Sequence, residues 1–285
     1  MHSSQTHRHP GVLQTSSPGQ LSSRLGAVAG VLCATTLAAC HTTAAPSSGY
    51  LSAYDGMEKA GRTGVALTQR RDDVASDNVR MVFIEPAAFA PNVGAALSDN
   101  ERTMVLSEVD RQICFEVSER FTIASSPAPD TATIRTAVVR LQPTGRIGSA
   151  VSAAVGYFVP VVSLRPPMTT GGLAVESELL EAGTGRQIAA IAWARNAQYV
   201  GRDSASLSRV GDALQMAEPM GDAVGDAFSS KARKVNDIPA VDPCAAFGSR
   251  RDIGRTAAGI AFGAVTGLYS PEVAGDGAKR SSSEP

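Results

Sequence analysis

Residues 25–39, LGAVAGVLCATTLAA, carry no charge, follow a polar stretch whose only charged residues are Arg8 and Arg24, and stop at Cys40. As a helix this run would reach about 22 Å, short of the roughly 30 Å hydrocarbon core of a bilayer. A basic leader, a short apolar run and small residues at its end are the pattern of a secretory signal peptide, which is removed and takes no part in the fold.

Leu37-Ala38-Ala39-Cys40 resembles the bacterial lipobox, in which the thiol is diacylated, the chain is cut before the cysteine and the new amino terminus is acylated. The expectation is a signal peptide over 1–39, lipidation of Cys40 and a lipidated tether over 40–50. Three acyl chains exceed the two membrane signals that stable anchoring needs. His41 stands where many proteins retained at the inner membrane carry aspartate, so the expected address is the periplasmic face of the outer membrane.

Cleavage before Cys40 removes His2, His7 and His9 and leaves His41 alone. A folded part without histidine cannot run a Ser-His-Asp or Cys-His mechanism or build a histidine-bearing zinc site. Catalytic residues, cofactors and metal are therefore expected to be none. Losing Arg8 and Arg24 shifts the net charge from −1 to −3, which offers no basic stripe for nucleic acid. Glu176 and Glu178, two apart on a predicted strand, share a face and could form a carboxylate pair; the alternative, which we expect, is the solvent side of an amphipathic strand. Cys114 and Cys244 are either bridged in the oxidising periplasm or two separate thiols.

Element signals begin late in the chain. Residues 51–78 are polar, and TQRRDDVASDN reads as a solvated loop. VRMVFIEP, 79–86, alternates and ends on proline, predicting a central strand. Ser98 with Glu101 forms a capping box, and Val105, Val109, Ile113, Val117 and Phe121 recur every fourth residue, predicting a helix over 98–121 with Cys114 beside its buried stripe. Strands are expected at 121–125 and 131–143, a hairpin over 171–200 turning at Gly183-Thr184-Gly185, and a helical region over 204–234 interrupted at Pro219. This order implies an α+β domain over 51–235, a mostly antiparallel sheet covered by helices, followed by a glycine-rich, partly disordered tail over 236–285.

Two stretches, 147–164 and 256–271, carry no charge. In the second, Gly259, Gly263 and Gly267 fall every fourth residue, a spacing that lets helices approach closely. Each stretch is read as a buried loop or core-packed helix; the alternatives are helix pairing within an oligomer or at the bilayer surface, and a membrane span, for which both are short or broken.

SGYLSAYDGM (48–57), VRMVFIEPAAF (79–89) and GGLAVESELLEAGTGRQIAA (171–190) together resemble a family of bacterial lipoproteins carrying domain of unknown function 3313, over about 48–230. The segment 65–78 departs from it in lacking aromatic residues, and the tail after 244 lies outside it. The resemblance implies an envelope lipoprotein and supplies no catalytic residues. The resulting expectation is a non-enzymatic binding or scaffold module with the membrane and an envelope protein or peptidoglycan as partners. The alternative is a homo-oligomeric export or pore accessory paired through 256–271.

Overall fold

A long antiparallel hairpin forms the spine of the domain: β8 (Gly172–Leu180) runs into β9 (Gln187–Asn196) through a turn in which Gly183 and Gly185 take φ of +73° and +66°. Those left-handed angles are open to glycine and strained for other residues, so the turn forms at the expected Gly-Thr-Gly. The computed structural model describes residues 42–61, 63–145, 163–164, 170–197, 200–201, 208–237 and 239–248. The expected signal peptide, Cys40, most of the uncharged 147–164 stretch and Gly259, Gly263 and Gly267 lie outside the described residues.

Strands add to both sides of the hairpin. β9 pairs with β2 (Val65–Arg71), itself edged by the two-residue β1 (Glu58–Lys59); β8 pairs with β6 (Ala132–Gln142). All four of these pairings are antiparallel. Beyond them β3 (Met81–Ile84) and β4 (Ala88–Phe89) run parallel to β6, and β5 (Thr122–Ile123) runs parallel to β3. The result is a mixed eight-stranded sheet ordered β1-β2-β9-β8-β6-β3-β5, with β4 on β6. A separate pair joins β7 (Ser163–Leu164) to β10 (Val200–Gly201).

Two expectations are corrected here. The polar stretch before residue 79 is β2 followed by α1 (Asp73–Asn78), whose first turn is capped by the Asp72 side chain accepting from the Ala75 N–H. All seven residues of β2 are half-buried, so no alternation marks it in the sequence. The VRMVFIEP strand is not central: β3 lies one place from the sheet edge, with Val82 and Ile84 facing the core. Parallel pairing of β3 with β5 needs a long crossover, and the helix between them supplies it.

That helix is α2 (Asp99–Ser118). Its capping box forms as expected: the Ser98 hydroxyl accepts from the Glu101 N–H, and the Glu101 carboxylate accepts from the Ser98 N–H. The stripe from Val105 to Phe121 is buried, and so is every residue from Glu108 to Ser118. α3 (Gly211–Phe228) continues through Pro219 where an interruption was expected, and packs along α2 in the same direction. Gly221 and Gly225 make this approach feasible. A Cβ on Gly221 would lie 2.8 Å from the Gln112 carbonyl oxygen, and one on Gly225 3.0 Å from the Glu116 Cβ. A four-residue glycine spacing thus packs helices inside the domain, at positions other than the three singled out in the tail.

The core lies between one sheet face and the helix pair, joining Ile134, Val138, Leu173, Val175, Ile191 and Trp193 to Val109, Ile113, Met220, Val224 and Phe228. After α3 the chain returns along α2: the Asn236 N–H donates to the Glu119 carbonyl at 2.7 Å, and a disulfide joins Cys114 to Cys244 with 5.8 Å between their Cα atoms. Cys114, expected beside the buried stripe of the helix, is itself fully buried. The class is α+β, as expected. Among the described residues, no helix is long and apolar enough to cross a membrane.

Candidate functional site

Glu176 and Glu178 point from β8 to the sheet face away from the helices, yet they are only 1% and 0% exposed. The solvent-face expectation is therefore corrected. The chain before β1 lies over that face and buries them. β9 contributes Ala190, Ala192 and Ala194 there, and β2 contributes Ala66, so the face is low enough for Ala44 and Ala45 to lie against it.

The fit of this strap to the two acids follows from spacing. Ser48 donates to Glu176 from its N–H at 3.1 Å and its hydroxyl at 2.5 Å, and the Tyr54 hydroxyl donates to the same carboxylate at 2.7 Å. Ser52 donates to Glu178 from its N–H at 2.8 Å and its hydroxyl at 3.1 Å. Gln187 Nε2 donates to Glu178 at 2.6 Å, and Arg135 closes an ion pair with it while stacking near the Tyr50 ring. Burial alone would raise the Glu178 carboxyl, but the Ser52, Arg135 and Gln187 donors outweigh it and hold the pKa below the usual carboxylate range. Both oxygens of each acid accept hydrogen bonds. These carboxylates hold the strap in place, which leaves them poorly placed to flank a substrate.

A cleft of about 650 Å³ opens on the helix side of the sheet. Its floor is Leu67 from β2 and Trp193 from β9, opposite one another in the strand register. Its wall is the α2–α3 seam, with Pro219 and Ala223 on one side and Glu116 and Glu119 on the other. Asp222 and Asp226 complete an acidic rim in which Arg120 pairs with Asp226 at 2.9 Å. Burial first, then the charges of Asp222 and Glu119, push the Glu116 carboxyl up to about 8. At neutral pH Glu116 therefore keeps a proton and hydrogen-bonds Asp222. Two carboxyl groups in direct contact share that proton instead of standing either side of a bond to be cleaved. Apolar floor and acidic rim suit a group that combines a positive charge with an apolar stem.

Of the cleft residues the sequence drew attention to Pro219 alone, as a helix break and not as part of a site. The signals were nonetheless there: the chain has one tryptophan, and Glu116 with Glu119 and Asp222 with Asp226 fall at helical spacing. Cys114 and Cys244 are brought together, while Cys40 and the three tail glycines lie outside the described residues. Among the described residues no group of three histidine, cysteine or acidic side chains could hold a metal.

Comparison with known proteins gives a family and little else. No curated protein matches the chain. Among solved structures, a single-substitution variant of the PelC dodecamer from Paraburkholderia phytofirmans aligns at 11% identity and a TM-score of 0.35, covering 59% of this chain and 98% of that one. The PelC dodecamer from the same organism aligns at 10% identity and a TM-score of 0.35, covering 59% and 99%. Scores at that level carry no argument about function or assembly. The family model described as "Protein of unknown function (DUF3313)" matches residues 46–224, a span that holds the strap from Ser48, both strapped carboxylates and most of the cleft. With well over half of its length matched, the chain belongs to the DUF3313 family.

Proposed function

We propose that this protein is a lipoprotein anchored by acyl chains on Cys40 to the periplasmic face of the outer membrane, where its domain acts as a non-enzymatic binding module of the cell envelope. In this reading the domain is a mostly antiparallel sheet covered by helices, with the strap on the opposite face. The observation that carries it is the cleft. Its volume falls in the range of ligand pockets, its floor is apolar, and its rim is acidic, with Glu116 engaged by Asp222 and Asp226 by Arg120. The partner that fits is an envelope protein or peptidoglycan stem presenting an ammonium or guanidinium group beside apolar surface.

Two measurements test this. Trp193 is the only tryptophan, so intrinsic fluorescence reports on the cleft alone. Its emission is expected to shift on titration with soluble peptidoglycan fragments or basic envelope peptides, with the shift abolished at high salt. Cys40→Ser is expected to move the protein from the membrane to the soluble fraction. A Cys40→Ser protein that still sediments with membranes would refute the anchor; no spectral response to either ligand class would refute the cleft as the binding site.

A further inference from the structure

The chain is fastened to the domain almost as soon as it leaves Cys40. Thr42 is buried: its hydroxyl donates to the Gly64 carbonyl at 2.6 Å and accepts from the Asn196 N–H at 3.4 Å, while Arg140 Nη2 donates to the Thr43 carbonyl at 3.2 Å. From there the strap runs over Ala66 and Ala192 to Ser48 on Glu176 and Ser52 on Glu178, always toward the hairpin turn. Thr42 therefore sits at the end of the sheet where β2 and β8 begin and β9 ends. The turn at 181–186 lies at the other end, about 30 Å away along nine residues of β8.

Two peptide links separate Thr42 from Cys40, so their Cα atoms are at most about 7.6 Å apart. Had residues 41–50 formed a free coil, its root-mean-square length of about 17 Å would let the domain present any face to its anchor. The docked strap removes that freedom. We propose that the end of the sheet bearing Thr42, Gly64 and Asn196 rests on the phospholipid headgroups, so that the hairpin turn and the C-termini of α2 and α3 point away from the membrane. The orientation rests on the acylation of Cys40 proposed above. Charge at this end is mixed, with Arg140 and Arg195 on the strand termini and Asp99, Glu101 and Asp212 at the helix N-termini, so the orientation is carried by the docked strap.

The test uses the full acylated chain in vesicles of phosphatidylethanolamine and phosphatidylglycerol, with p-benzoylphenylalanine replacing either exposed Thr63, beside Gly64, or exposed Thr184, in the hairpin turn. Ultraviolet light is expected to attach phospholipid to the Thr63 variant about tenfold more than to the Thr184 variant, given the length of the strands between them. Inserting about twenty glycine and serine residues between His41 and Thr42 should reduce lipid labelling at position 63 to the level at 184 while leaving the acyl chains on Cys40. Equal labelling of the two positions without the insertion, on a chain whose Cys40 peptide carries its acyl mass, overturns the orientation alone. A Cys40 peptide without acyl mass overturns the anchor and the orientation with it.

Discussion

Glu178 shows how the charge state of one residue depends on its partners. Substituting alanine removes the acceptor for Ser52, Gln187 and Arg135 at once and leaves a half-buried guanidinium facing a void, so Glu178→Ala is expected to cost about 3 kcal/mol in urea unfolding. Because the folded-state pKa of Glu178 is lowered, its contribution is present above the unfolded value and is lost as pH falls through the folded one; it acts on acid unfolding. Glu116 has the opposite sign. Raised to about 8, it binds a proton in the folded state that the unfolded chain has released, so stability falls as pH rises from about 4.5 to about 8. The Tm of Glu116→Gln is therefore expected to fall less than that of the wild-type protein between pH 5 and pH 8.5, as read by thermal unfolding in matched buffers. Neither behaviour was legible in the sequence. Glu176 and Glu178 read as a solvent face because alternation records what a strand can bury by itself, whereas their burial is imposed by serines more than a hundred residues away.

At the scale of elements, local signals were read well where the causes are local. The capping box at Ser98 and Glu101, the stripe from Val105 to Phe121 and the glycine turn all reappear in the fold because neighbours in sequence make those contacts. Pro219 misled because its missing N–H reads as a break, yet packing against α2 and the sheet holds α3 continuous across it. The α2–α3 seam gives a sharp prediction. Gly221→Ala raises intrinsic helix propensity by up to about 1 kcal/mol but drives a methyl group into the Gln112 carbonyl, with overpacking costs of about 1–3 kcal/mol. Net destabilisation is expected in denaturant midpoints, with Gly225→Ala milder because its nearest neighbour is a side-chain carbon at 3.0 Å. An unchanged or raised Gly221→Ala midpoint would show that the helices can part there without cost.

Across the whole molecule, one disulfide closes a span of 130 residues from α2 to the segment after α3. The chain-entropy model assigns such a loop an upper value of about 5 kcal/mol, so reduction or a Cys114→Ala, Cys244→Ala double variant is expected to lower the urea midpoint, and mass spectrometry under non-reducing conditions to find neither thiol free. The sequence by itself determined the α+β class, the well-signalled helix and hairpin, and the loss of histidine chemistry if the chain is cut before Cys40, because composition and short-range periodicity suffice for these. Only the tertiary structure decided the strand order, the half-buried β2, the pairing of two cysteines that could equally have stayed apart, and the fate of residues 42–54. In isolation that last segment is polar and has nothing to bury against; laid over an alanine-lined sheet, Ser48, Ser52 and Tyr54 meet two carboxylates that need donors as much as the strap needs acceptors. Such complementarity belongs to pairs of distant segments, and it exists only once the sheet has brought them face to face.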